Sequence, residues 1–228
     1  MVRMQGPLGR RLALATLAAA GGLAVSLVGC GRSDFQYVEN STEGVYIRVP
    51  DDWDVVANDL DPALPRTSRG VVLTENLPPT IGLWEVDMVA SPVAAGGDLP
   101  EAQGTLLVSI VNPDYRHEVS VESQRARRFQ LSGEEEGEVA TLRELARQND
   151  PRVALIDDVD IIEDDIRGNR AVFRLQGEDG STSIVDHVVT FDAATSRSYE
   201  LFFSCETRCY EANREAINEI VDSLTVED

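Results

Sequence analysis

Apolar and polar positions alternate along several stretches of the chain. In Ile81 to Ala90, Trp84, Val86 and Met88 share one parity while Glu85 and Asp87 take the other, which predicts a strand with one buried and one wet face. Gly44 to Val49, closed by Pro50, and Thr105 to Val111, closed by Asn112-Pro113-Asp114, predict two more strands. Val71 to Thr74 predicts a short one, and Ala171 to Leu175, Ile184 to Phe191 and Tyr199 to Phe203 a sheet-forming second half. Their connections are turn-like: Asp51-Asp52-Trp53, Gly168-Asn169, Gly177 to Gly180, and Asp192 to Ser198. Helical spacing shows twice. Val139, Leu142, Leu145 and Ala146 make one apolar stripe, stopped by Pro151, and Ala212, Ala216, Ile217, Ile220, Val221 and Leu224 make a second within Glu211 to Leu224. Ser91 to Gly104 reads as a loop, and the charged stretch Arg116 to Gly137 as a solvated one. Strands joined by short turns imply antiparallel pairing, and helices with one apolar stripe must cover a sheet face. The expected fold class is therefore α+β, a single curved antiparallel sheet packed by helices in an α/β/α sandwich.

The N-terminal stretch has a different pattern. Arg3, Arg10 and Arg11 precede 17 uncharged residues, Leu12 to Val28, and no acid occurs before Cys30. A basic opening followed by an apolar run is the pattern of a secretory leader. Its end, Leu27-Val28-Gly29-Cys30, resembles the lipobox of bacterial lipoproteins. That resemblance implies cleavage before Cys30 and a thioether-linked diacylglycerol on its sulfur, placing the protein on the extracytoplasmic face of the cell membrane. General secretion and, through Arg10-Arg11, twin-arginine export both stay open. The expected organisation is a signal peptide over 1–29, a lipidated tether over 30–43, and one domain over 44–228.

Charge then limits the partners. Against 40 acidic side chains stand 20 basic ones, every one of them arginine, for a net charge of -20. Such a surface repels phosphate backbones and anionic headgroups, which excludes nucleic acid and leaves the lipid as the membrane attachment.

Chemistry-bearing residues are sparse. Cys205 and Cys209 are four apart, and in an oxidising compartment a local disulfide is the economical expectation. Cys-x-x-Cys redox spacing is lacking, and His117 and His187 fall in different elements, which argues against zinc. The acidic run Asp157, Asp158, Asp160, Glu163, Asp164 and Asp165 lacks the glycine and terminal glutamate of a calcium loop. It reads as a solvated strand edge, with weak calcium binding left open. Ser183 and Ser204 have no nucleophile-elbow setting, and no phosphate-cradling glycine loop occurs. No catalytic residue, cofactor or metal ligand is assigned.

Gly44 to Pro50 followed by Trp53 resembles the opening of the PsbP/Mog1-like proteins, and most closely the actinobacterial lipoproteins of the LpqN/LpqT type. The order of Val139 to Ala146, Val159 to Ile166 and the Phe-rich strand before Cys205 and Cys209 is similar too, as is the closing Ile220-Val221-Asp222-Ser223-Leu224. The resemblance implies a sheet sandwiched by helices and a domain of the binding or accessory kind with no assumed enzymatic chemistry, and the leading expectation is a non-catalytic module engaging another envelope protein. A carrier or sensor of a small apolar ligand is the alternative, through a cavity lined by Met88, Trp84 or the Phe202 strand, and a hydrolase comes third.

Overall fold

The computed structural model describes residues 34–60, 79–90, 101–129, 142–163 and 166–227. Strands β1 (Phe35–Asn40), β2 (Val45–Pro50) and β10 (Thr225–Val226) form a small antiparallel sheet. The other seven, β3 (Trp53–Asp59), β4 (Thr80–Ala90), β5 (Gln103–Val111), β6 (Val153–Ile162), β7 (Ile166–Gln176), β8 (Thr182–Asp192) and β9 (Arg197–Glu206), form the main sheet in the order β3-β4-β5-β9-β8-β7-β6. Every neighbouring pair in it is antiparallel. Among the described residues three α-helices accompany the sheets: α1 (Val121–Arg128), α2 (Leu142–Arg147) and α3 (Thr207–Asp222). The fold is α+β, with an antiparallel sheet packed by helices.

The alternation read in β4 holds: Trp84, Val86, Met88 and Ala90 are buried. They join Leu106 and Val108 of β5, Leu201 and Phe203 of β9, and Val188 of β8 in one core. Ile217 and Ile220 of α3 and Val45, Ile47 and Val49 of β2 close that core from above. The Ser223 hydroxyl at the end of α3 accepts from Arg48 N at 2.8 Å, fastening the helix to β2. The opposite face carries two smaller cores, one of Val111, Val119, Val189 and Phe191, the other of Leu142, Val153, Ala171 and Phe173.

Four expectations differ from the structure. The stretch read as a solvated loop contains α1, started by a capping box between Ser120 and Ser123 and ended by Arg125, Arg127 and Arg128, cations that suit a helix C-terminus. The segment read as a tether contains β1, paired along its length with β2. Residues after the Asp51-Asp52 turn continue as β3. Gly168-Asn169 is not a turn but lies inside β7, opposite Val189 and Thr190 of β8. The strand at Val71 to Thr74, the helix start near Val139, and most of the loop from Ser91 fall outside the described residues.

Gly168 is needed for close approach. A Cβ there would run into the Val189 carbonyl oxygen and come within 2.6 Å of Thr190 Cα, both backbone atoms. Gly168→Ala is expected to lower unfolding free energy by about 1–3 kcal/mol, the usual cost of overpacking, as checked by urea denaturation. Unchanged stability would mean that β7 and β8 separate more readily than this contact implies.

Candidate functional site

The best-defined candidate is β6, one of the two edge strands of the main sheet, with the network that holds it. Val153 anchors its start, buried against Leu142 and Phe173. The register with β7 then slips between Leu155 and Asp157, so Ile156 is an inserted residue with its side chain half exposed. Beyond the bulge, Asn169 Nδ2 in β7 donates to Asp158 Oδ1 at 2.8 Å and to Asp160 Oδ1 at 3.0 Å. Arg143 of α2 adds a 2.5 Å contact to Asp158 and a 2.8 Å ion pair to Glu122 of α1.

Asn169 is itself held from α1. Arg125 Nη2 donates to Asn169 Oδ1 at 2.5 Å, to its carbonyl at 3.1 Å and to the His187 carbonyl at 3.3 Å. Arg125 is 1% exposed, and burial pushes its guanidinium down to about 10, still charged at neutral pH. Its neighbour on the sheet is His187, 0% exposed, with Nε2 at 3.0 Å from Glu200 Oε1. Phe129 and Phe202 set their rings edge-on to the imidazole, and Arg128 lies over the Phe202 ring, 3.6 Å from Glu200. Burial depresses the His187 pKa against the pull of Glu200, with Arg125 and Arg128 adding to the depression. Burial acts to raise Glu200, but His187, Arg128 and Arg127 outweigh it and hold the carboxylate ionised. A lowered carboxylate on a packed face is a structural ion pair, not the raised, cleft-facing acid that a hydrolase would need.

On the outer side β6 is open: no described strand pairs with it there. Leu155, Ile156, Val159 and Ile162 are exposed, Ile162 by 83%. Glu163 N bonds Ile166 O at 3.0 Å. Antiparallel ladders alternate bonded and non-bonded pairs, so the N–H and C=O groups of Asp158, Asp160 and Ile162 turn outward. The Asp158 N–H is met by Asp157 Oδ1 at 2.9 Å. Asp160 and Ile162 remain as backbone positions that can receive another extended chain.

The other residues singled out in the sequence are dispersed. Cys30 lies outside the described residues, as do Asp164 and Asp165. The disulfide expected between Cys205 and Cys209 is not formed; both are free thiols. They are buried in the main core, Cys205 in β9 and Cys209 in the first turns of α3. Desolvation is the main cause raising both pKa values, so the thiols stay protonated and unreactive. His117, paired with Glu118 at 3.4 Å, is exposed and has no part in the His187 network. Trp84 and Met88 are enclosed in the packed core, and Phe202 lies on the opposite face with Phe129. Among the described residues, no three His, Cys, Asp or Glu side chains are placed to hold a metal ion. Sequence reading missed Arg125 and Glu200. The only signal for either is a capping box ahead of Arg125 and the strand parity that opposes Glu200 to the core-facing Tyr199 and Leu201.

No protein-family model matches the sequence, and no curated protein is similar to it. Solved structures show likeness in overall architecture. Cyanobacterial PsbP (CyanoP) from Synechocystis sp. PCC 6803 is 13% identical, over 87% of this chain and 96% of that one, with a TM-score of 0.47. LpqN of Mycobacterium tuberculosis, described as involved in cell envelope biogenesis, is 16% identical over 85% of this chain and 92% of that one, TM-score 0.46. The Saccharomyces cerevisiae Ran-binding protein Mog1p is 8% identical over 85% and 96%, TM-score 0.41. None of these likenesses transfers a function to this chain.

Two outcomes test the network. Arg125→Ala strands the Asn169 side-chain oxygen and leaves the surrounding carboxylates without their buried cation. It is expected to cost about 3–5 kcal/mol in urea unfolding; a loss below about 1 kcal/mol, the range of surface pairs, would contradict the account. His187 is depressed in the folded chain, so the unfolded chain binds the extra proton first. Its stabilising contribution is full above about pH 6.5 and is lost as pH falls from there through the lower folded value. His187→Gln should remove that part of the pH slope in melting curves, while an unchanged slope would show that the ring takes up its proton alike in the folded and unfolded chain, against this account.

Proposed function

We propose that this protein is a lipid-anchored, non-catalytic binding module that docks another envelope protein along the outer edge of β6. The observation that carries this reading is the contrast between a filled interior and the exposed Leu155, Ile156, Val159 and Ile162 on a strand with no described neighbour on its outer side. Monomeric proteins blunt their sheet edges with short strands, charge, bulges or cover, and the bulge and acids of β6 leave its four apolar side chains uncovered. Here a ten-residue strand has apolar side chains between its acids. In this reading Cys30, acylated after leader removal, holds the domain at the extracytoplasmic face of the cell membrane. Two acyl chains give a firm anchorage that an acidic body could not obtain from headgroups. Kinship with the LpqN/LpqT-type lipoproteins belongs to the same proposal and rests on the resemblance of Gly44 to Pro50 with Trp53 and of the closing Ile220-Val221-Asp222-Ser223-Leu224.

The test is intact-mass spectrometry of the chain extracted in mild detergent from its own membranes. Expected are a diacylglyceryl group on Cys30 and a second polypeptide that co-isolates with the wild-type chain. Val159→Asp/Ile162→Asp should lose that polypeptide while keeping the wild-type circular dichroism and melting temperature. A bound small apolar molecule with no second polypeptide would replace this reading with that of a carrier.

A further inference from the structure

A groove of about 280 Å³ runs along β6 on the sheet face that carries α3. Val159, Ile161, Val188, Val221 and Leu224 give it apolar walls. Three acids of the described residues lie along it, Asp157 from β6, Glu163 just after that strand's end and Asp222 from the last turn of α3, and all three are exposed. Glu163 and Asp222 have no ion-pair partner among the described residues. Among the described residues the one cation in the lining, Arg170, is committed: it bonds Asp186 at 2.9 Å and Asn218 at 2.7 Å.

Thr190 supplies an independent observation. It lines the groove from β8 and is 1% exposed, yet its hydroxyl has no hydrogen-bond partner. Buried hydroxyls are nearly always bonded, because leaving one unmet costs its full desolvation. An unmet hydroxyl in the lining of an open groove marks a place for a polar group from outside.

Size and chemistry narrow the occupant. The volume is at the lower limit of small-molecule pockets and suits one long side chain. Apolar walls match a methylene stem, exposed carboxylates match a cationic head, and Thr190 can accept from it. A second copy of this chain fits poorly, because antiparallel pairing of two β6 strands sets acids against acids. We infer that the groove receives a lysine or arginine side chain from an extended segment of the partner laid along β6; this rests on the docking reading above.

Three fluorescently labelled synthetic peptides test it by anisotropy on the full chain in detergent micelles: Val-Lys-Val-Lys-Val and its counterparts with Gln or Glu in place of Lys. The lysine peptide should bind about tenfold more tightly than the glutamine peptide, as a charge-assisted bond implies, and weaken with added salt. Glu163→Gln/Asp222→Asn should abolish the preference, and Thr190→Val should reduce it several-fold while preserving the melting temperature. Lysine binding no tighter than glutamine binding overturns the inference, as does a preference that survives Glu163→Gln/Asp222→Asn. If the glutamine peptide binds equally well and Ile162→Asp abolishes both, β6 docking stands and only the basic side chain is wrong. If the lysine peptide does not bind and no polypeptide co-isolates from the membrane, both readings fall.

Discussion

Asp186 and His187 are consecutive in β8, both fully buried, on opposite faces of the sheet. A strand sends neighbours to opposite sides, so each face must supply partners for a polar group that has lost its water. On one side Arg170 and the Tyr210 hydroxyl meet Asp186, with Asn218 bonding Arg170. On the other, Glu200 meets His187, and α1 brings Arg128 to Glu200 and Phe129 to the imidazole. A slip of one residue in β8 would bury Asp186 against Phe129 and His187 against Tyr210, exchanging both sets of partners. This pair of demands fixes the register of the central strands and the position of the helix on each face.

The same arrangement explains why the edge differs from the middle. Among the described residues, α3 and β2 cover the central strands on one side and α1 on the other, while α2 packs on β7 and the start of β6. β6 is the last strand, tied inward by Asn169, Arg143 and the buried Val153. Its outward backbone groups and apolar side chains have no comparable partner among the described residues. The acids between them discourage self-association, so the edge is guarded against copies of itself while staying open to a strand of opposite charge.

Much of the sheet was legible because its half-buried strands alternate with period two, as in Trp84, Val86 and Met88, and α3 because its stripe has helical spacing. Four features were not legible, for identifiable reasons. α1 is written in charged residues, and Arg125 looks like surface until tertiary structure places Asn169 and two carbonyls around it. Gly168 and Asn169 have turn chemistry, but the glycine serves a close approach to β8 and the asparagine a hub between β6 and α1. The cysteine pair has the spacing of a local disulfide, and both cysteines are instead free thiols buried in the main core. The acidic run was legible as a strand edge; that two of its carboxylates bind Asn169 was not, because such bonds depend on the β6–β7 register.

The central claim is that β6 is covered by another chain where the protein works. Hydrogen–deuterium exchange of the Asp160 and Ile162 amides, compared between the protein in its own membranes and the purified chain in detergent, tests this most directly. The account predicts slow exchange in the membrane and fast exchange after purification, with the amides of β8 slow in both. Equally fast exchange of Asp160 and Ile162 in both settings would contradict it.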